Sequence, residues 1–278
     1  MILITGGRGA VATELSAMLQ SDGLAVRVGS RQPEQLQTSS GVAAVACDLT
    51  DPATFPTALA GVTSVFLYAE GTTIAEFVTA ATEAGVDHIV LLSSASVLGA
   101  DAAANPIGKA HLDAELGLAA APMTTSVLRP GAFAGNARSW AGPIKAGNPI
   151  SLPYPDAYTD PIHERDIAEV AHALLTKNEH RGTQHSLTGP ETFTFRAQLE
   201  CIAEVTGRPV TIDHVQPEAW KQQVGAHMPA EIADGLLDYW RRTDGIPAPI
   251  TDTVAAITGR KGRTFTSWVE ENVAAFTD

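Results

Sequence analysis

The sequence predicts an α/β fold, a doubly wound parallel sheet carrying a smaller, mostly helical C-terminal lobe. Three observations lead there. Short apolar runs recur through the first half of the chain, and segments with helical spacing separate most of them. The runs are not half polar; a strand buried on both faces reads as continuous apolar sequence, the signature of a parallel sheet covered by helices. The first run leads at once into a glycine-rich turn, TGGRGAVA at residues 5–12.

Taken in order, the predicted strands are MILI (1–4), AVRVG (25–29), VAAVA (42–46), SVFLY (64–68), HIVLLS (88–93) and TTSVLR (124–129). Helical spacing runs over 12–19, 53–59, 74–84 and 109–118. Asp51-Pro52 supplies an N-cap and a proline for the first helical position, with Thr50 as the alternative cap. Six such strands with intervening helices make a doubly wound sheet. After about residue 148 the alternation weakens into NPISLPYPDAYTDPIHERD, which is proline-rich and reads as loops and short strands. A helix is expected over 167–175, a returning strand and turn in GTQHSLTGP, and an amphipathic helix over 196–206 closed by Gly207 and Pro209. The expected units are therefore a nucleotide-binding domain, 1–148, and a smaller substrate lobe, 149–278, some of whose segments return to the sheet.

Composition narrows the function. Of 278 residues, 45% are hydrophobic, and 31 acidic side chains outnumber 18 basic ones to give a net charge of −13. A phosphate-tracking surface needs excess Lys and Arg, so nucleic acid is not an expected partner. No run approaches the roughly 18 apolar residues of a membrane span, and MILI is too short for a signal-peptide core, so a cytoplasmic protein is expected. Cys47 and Cys201 suggest neither a disulfide framework nor a zinc site, and the eight histidines show no metal-ligand spacing. GxSxG, the mark of an α/β-hydrolase nucleophile, is absent.

In a doubly wound sheet, the loop after the first strand lies at the topological switch point, where a helix N-terminus offers free N–H groups to an anion. Gly6, Gly9 and Ala12 have the spacing GxxGxxA: a turn, a close approach for phosphate, and a close helix–strand contact. A glycine-rich turn without a ligand is the plainer alternative. Ser30-Arg31 follow the second strand, where an NAD site usually places Asp or Glu; an arginine there suits a 2′-phosphate. Arg8 is placed to reach the same group, so NADPH is expected rather than NADH, unless both arginines are simply solvated. Asp48-Leu49 after the third strand would flank the adenine, although an Asp there also serves as a helix cap.

The stretches ILITGGRGAVA, SRQPEQ, ACDLTD, VLLSSASV, GKAHLDAEL, SVLRPGAFAGN, DIAEVAHALL and HSLTGPETFTFRAQLECIAEVTGRPV resemble the NmrA-like branch of the atypical short-chain dehydrogenases/reductases, which includes type 2 quinone oxidoreductases. The likeness runs to about residue 215 and resumes in TFTSWVEENVAAF. The resemblance implies a Rossmann domain in which Gly6, Gly7, Arg8 and Gly9, continued by Ala10 and Val11, hold the phosphates, with Ser30 and Arg31 at the 2′-phosphate. It implies that Tyr68, Ala69 and Glu70 line the cofactor channel, that Ser93, Ser94 and Lys109 stand at the nicotinamide ribose, and that Pro130, Gly131, Ala132 and Phe133 border the ring. The wider group protonates its substrate with a Tyr-x-x-x-Lys pair. Here the residue four before Lys109 is Asn105.

Lys109 and Ser94 remain the candidate catalytic residues, with a solvated helix lysine as the plainer reading of the first. His111, two residues on, faces elsewhere on the helix. Asn136, Trp140, Tyr154, Tyr158 and His163 are candidates to face the cleft; the aromatics would either sandwich a flat substrate or pack the lobe. The expected activity is NAD(P)H-dependent reduction of a quinone or flat conjugated carbonyl, with aromatic polyketide tailoring, by reduction or oxygen-coupled hydroxylation of a monooxygenase type, as a variant. The alternative is a non-catalytic NAD(P)-binding redox sensor of the NmrA type. The oligomeric state is open.

Overall fold

The computed structural model describes residues 1–36 and 41–277. Residue 278, the end of the expected second unit, lies outside them. The elements in chain order are β1 (Ile2–Ile4), α1 (Ala10–Ser21), β2 (Val26–Ser30), β3 (Ala43–Ala46), α2 (Phe55–Leu59), β4 (Ser64–Tyr68), α3 (Ile74–Glu83), β5 (His88–Leu92), α4 (Pro106–Ala119) and β6 (Thr124–Pro130). They continue as α5 (Ala141–Ala146), β7 (Ile150–Leu152), β8 (Tyr158–Thr159), α6 (Glu164–Thr176), β9 (Gln184–Leu187), β10 (Phe193–Thr194), α7 (Phe195–Thr206) and β11 (Ile212–His214). Five helices follow: α8 (Pro217–Val224), α9 (Ala230–Thr243), α10 (Thr253–Thr258), α11 (Phe265–Glu271) and α12 (Ala274–Thr277).

Seven strands form one parallel sheet in the order β3-β2-β1-β4-β5-β6-β9. β1 pairs with both β2 and β4, so Ile2 sits between Val26 and Ser64 and the order of winding reverses there. This is the doubly wound sheet the sequence predicts. Alternation along the buried strands feeds two cores. Ile2, Ile4, Phe66, Val90 and Leu92 meet α1, α6 and α10 on one face. Leu3, Val65, Leu67, Ile89 and Leu91 meet α2, α3 and α4 on the other.

Both α6 and β9 come from beyond residue 148, yet α6 packs on α1 and β9 completes the sheet beside β6. A third core joins Ala134, Ile150, Phe195, Leu199, Phe265 and Trp268 in the lobe above the sheet's carboxyl edge. β3 departs from the expected pattern. It is the edge strand, and its alanines are exposed while Val45 packs on the core shared with α2. At the start of the 52–54 turn, Asp51 rather than Thr50 acts as cap, its carboxylate accepting from the Ala53 N–H at 3.1 Å. Among the described residues no helix is long and apolar enough to cross a membrane.

Candidate functional site: the crevice at the carboxyl edge of the sheet

The loop between β1 and α1 stands at the β1/β4 switch point. Gly6 has φ +63°, which closes the turn, and Gly9 caps α1. The Gly7 N–H donates to the Gly29 carbonyl at 2.9 Å, fastening the loop to β2. A Cβ on Gly7 would lie 2.2 Å from Val28 Cγ1. Cβ atoms on Gly6 and Gly9 would lie 2.7 Å and 2.3 Å from the Tyr68 side chain, which folds over the loop from the end of β4. Ala12 is buried against the strands, as the third position of the motif requires. Burial, before any charge effect, pushes the Tyr68 phenol up to about 12, and it accepts from the Ala12 N–H. The first-turn amides of Ala10 and Val11 have no intrahelical acceptor and stay available to an anion. The bare turn and these amides fit a pyrophosphate.

The two arginines meet at the far end of this loop. Arg8 Nη1 donates to Gln32 Oε1 and Gln35 Oε1, each at 3.4 Å, which sets it beside the segment that begins with Ser30 and Arg31. The Ser30 hydroxyl accepts from the Gln32 N–H and holds that turn, leaving Arg31 exposed. Asp48 accepts from both the N–H and hydroxyl of Thr50 at 2.9 and 2.8 Å. Those bonds, and more weakly the Arg31 charge, hold its carboxyl below the usual range. Leu49 is partly buried on the sheet, and its carbonyl accepts from Thr73. The cationic corner therefore fits a 2′-phosphate.

On the β4–β5 side, Ala69 packs on the core while Glu70 turns onto its own loop, accepting from Thr72. Ser93 is not offered to the crevice: it is buried, and its hydroxyl donates to Glu115 at 2.5 Å, which Arg129 also clamps. Ser94 stands half-buried and accepts from the Ser96 N–H at 3.1 Å, capping a short turn. Asn105 caps α4, its Oδ1 accepting from Ile107 and Gly108. α4 thus begins at Pro106, and Lys109 sits in its first turn, exposed and paired with Asp113. Burial lowers the pKa of His111, whose Nδ1 is buried without a partner.

Pro130 ends β6, and Gly131, Ala132 and Phe133 carry the chain across the crevice. The Gly131 N–H donates to Leu187 O at 2.9 Å, and Phe133 bridges to Ile162 while packing on the core. Beneath this loop is Asp160, which sequence reasoning missed. Its Oδ1 accepts from the Ala132 N–H at 3.1 Å, and its Oδ2 would lie 2.0 Å from a Cβ on Gly131. Burial lifts the Asp160 carboxyl to about 6 against the pull of its backbone hydrogen bonds.

α9 packs on α4 and β8. Gly235 faces Asn105 so closely that a Cβ would lie 2.8 Å from its amide nitrogen. One turn on is Tyr239, and a further turn brings Arg242, whose guanidinium pairs with Asp101 at 2.6 Å. Burial first, and then the Asp160 charge, pushes the Tyr239 phenol up to about 12.

The candidate substrate residues are not brought together as a sandwich. Asn136 is exposed on the turn after Phe133. Trp140 meets Phe195 edge-on at 5.9 Å and belongs to the lobe core, where Tyr154 also packs. Tyr158 is half-buried on β8, two residues before Asp160. His163 is buried and caps α6 through Nδ1, with Nε2 3.2 Å from Glu271. Tyr239, the fourth tyrosine of the chain, gave one signal that could have found it: it stands in the most strongly amphipathic stretch of the C-terminal part. Among the described residues no group of three or more His, Cys, Asp or Glu is placed to hold a metal.

The fold has counterparts among known proteins. Residues 6–178 match the family described as NAD(P)H-binding. The chain is 34% identical over 281 residues to a (4-alkanoyl-5-oxo-2,5-dihydrofuran-3-yl)methyl phosphate reductase of Streptomyces griseus, with 99% of each chain covered. It is 30% identical over 285 residues to an NAD(P)H azoreductase of Xenophilus azovorans, again with 99% of each covered. Among solved structures, an NADPH-dependent quinone oxidoreductase from Escherichia coli, complexed with NADPH, superposes with a TM-score of 0.82 at 20% identity, covering 98% of this chain and 99% of that one. The protein is an NAD(P)H-dependent oxidoreductase. The chain belongs to the NAD(P)H-binding family of atypical, NmrA-like short-chain dehydrogenases/reductases.

Proposed function

We propose that the protein transfers hydride from NADPH to a flat, conjugated acceptor, a quinone or conjugated carbonyl, rather than oxidising a simple alcohol. The observation that carries this reading is Asn105. Where the wider group keeps its tyrosine acid, this chain has a helix cap whose side-chain oxygen is committed to two backbone N–H groups. A simple ketone leaves a strongly basic alkoxide and needs a positioned acid there; a conjugated acceptor spreads the new charge over its own π system and needs less help. The two relatives point the same way, since one is named for a conjugated oxo-dihydrofuran and the other for azo reduction.

The turn of Gly6, Gly7 and Gly9, with the Ala10 and Val11 amides, would hold the pyrophosphate, and Arg8 and Arg31 the 2′-phosphate. Asp48 and Leu49 would flank the adenine. Ser94 and Lys109 would border the nicotinamide ribose, and the 130–133 loop would press the ring into place. Bound NADPH supplies the hydride. The Ser93–Glu115–Arg129 cluster ties the ends of β5 and β6 to α4. The test is acceptor-dependent NADPH oxidation by the purified protein across quinones, conjugated enones and azo compounds, with oxygen uptake followed in parallel. Turnover without oxygen consumption supports plain reduction. Tight dinucleotide binding with no turnover of any acceptor overturns the reading and favours a sensor, while oxygen uptake with an oxygenated product would mark a monooxygenase-type tailoring step.

A further inference from the structure

We propose that Tyr239, delivered to the crevice by α9, is the proton donor of the reaction, replacing the acid that position 105 lacks. The inference rests on the reductase reading above and names the residue that completes it.

α9 presents Gly235, Asp238, Tyr239 and Arg242 at the spacing of one helical face. Two contacts fix where that face points. Gly235 abuts Asn105, and no residue with a Cβ would fit there without displacing the cap. Arg242 pairs with Asp101 through both terminal nitrogens, at 3.2 and 2.6 Å. Tyr239 lies between these anchors on the same face of α9, one turn from each, so that face turns it toward the 101–105 segment. α9 also packs on β8, whose chain continues directly into Asp160. Asp160 in turn touches Gly131 and Ala132, in the loop proposed above to border the nicotinamide ring.

Of the nearby polar groups, Lys109 is exposed and paired with Asp113, Tyr68 is turned onto the phosphate loop, and Ser94, whose oxygen accepts from a backbone N–H, is a far weaker acid than a phenol. Tyr239, by contrast, is 40% exposed, so its ring has a surface open to a substrate.

In the step, the acceptor is reduced by two electrons. One atom of its π bond gains hydride from the bound dinucleotide, which leaves oxidised. The partner atom gains the proton as the Tyr239 O–H bond breaks. The phenolate that remains recovers its proton from water at the exposed side of the ring.

The test uses the full-length protein in three forms: wild type, Tyr239→Phe, and protein with 3-fluorotyrosine at 239. For the conjugated carbonyl that wild type reduces best, Tyr239→Phe should lower kcat about 10²-fold, the scale of one positioned acid, with NADPH affinity by fluorescence titration changed less than about twofold. The fluorine resonance of the fluorotyrosine protein should move on addition of NADP⁺ alone. A kcat for Tyr239→Phe within about threefold of wild type would overturn the assignment, as would a resonance that saturating NADP⁺ leaves unmoved. If wild type turns over no acceptor, the reductase reading fails, and the resonance alone still decides whether Tyr239 faces the nicotinamide end. Melting curves of all three forms separate lost chemistry from lost fold; should Tyr239→Phe melt early, the fluorotyrosine form decides.

Discussion

A glycine in a phosphate loop is usually explained by the ligand, yet Gly6 and Gly9 are bare for a second reason. Tyr68 folds its ring over the turn, and a Cβ at Gly9 would stand 2.3 Å from its hydroxyl oxygen. The same bareness serves the protein's own packing and leaves the Ala10 and Val11 amides open to phosphate. Arg31 has no such double duty. Its neighbour Ser30 holds the turn, and Arg8 is steadied by Gln32 and Gln35, so the Arg31 guanidinium is exposed and free to meet a 2′-phosphate. Arg31→Ala should therefore weaken NADPH binding by about 1.5–3 kcal/mol, the value of a hydrogen bond to a charged group, and leave NADH binding nearly unchanged. Titration calorimetry with both dinucleotides checks this; equal losses would take Arg31 away from the 2′-phosphate.

At the scale of elements, α4 shows why a motif can be present in outline and absent in function. The helix starts at Pro106, so position 105 is a cap rather than a helical position, and its amide oxygen satisfies two of the free N–H groups of the first turn. Asn105→Ala should cost about 1 kcal/mol of stability, read as a lower midpoint in urea with an unchanged slope. An unaltered midpoint would mean that water caps the helix equally well. The strands around this helix were legible because β1, β4, β5 and β6 are buried by helices on both faces and must be apolar throughout. β3 was legible as a strand but not as an exposed edge, since alanine and valine suit either setting. The start of α4 was read three residues late because Pro106 and the cap at Asn105 carry no apolar periodicity. The glycine turn and Arg31 were legible since they depend on residues close in sequence to β1 and β2. Asp160 was not: its place arises only when the chain after β8, far along the sequence, is laid against the loop after β6, and that of Tyr239 only when α9 packs on α4 and β8. The aromatic sandwich failed for a related reason, because Trp140 and Tyr154 look alike in sequence whether they line a cleft or fill the lobe core they occupy.

The whole molecule is acidic, and it ties its lobe to its sheet with buried charge. Asp166 and Glu169 on α6 face the segment before α11: Arg263 donates its backbone N–H to Asp166 at 2.6 Å and its guanidinium to both carboxylates, while Arg260 reaches Glu169 at 2.7 Å. α6 also underlies the sheet, so this cluster couples the C-terminal helices to the layer that positions the crevice. Burial works to raise the Glu169 carboxyl, but hydrogen bonds and charge from Arg263, then Arg260, win and hold it below its ordinary 4.5. A carboxyl depressed by folding adds stability that is complete above its unfolded pKa and is lost as pH falls through the folded one. Arg263→Ala leaves Asp166, only 1% exposed, without its cation, and should cost roughly 3–5 kcal/mol at neutral pH, the range for breaking a buried pair from one side. The penalty should shrink as pH falls through the range in which folded Glu169 takes up its proton, because the neutral carboxyl no longer needs the arginine. Unfolding of both proteins in urea across that range measures the difference, and a gap that stays constant with pH would show that Arg263 acts through packing of its stem rather than through its charge.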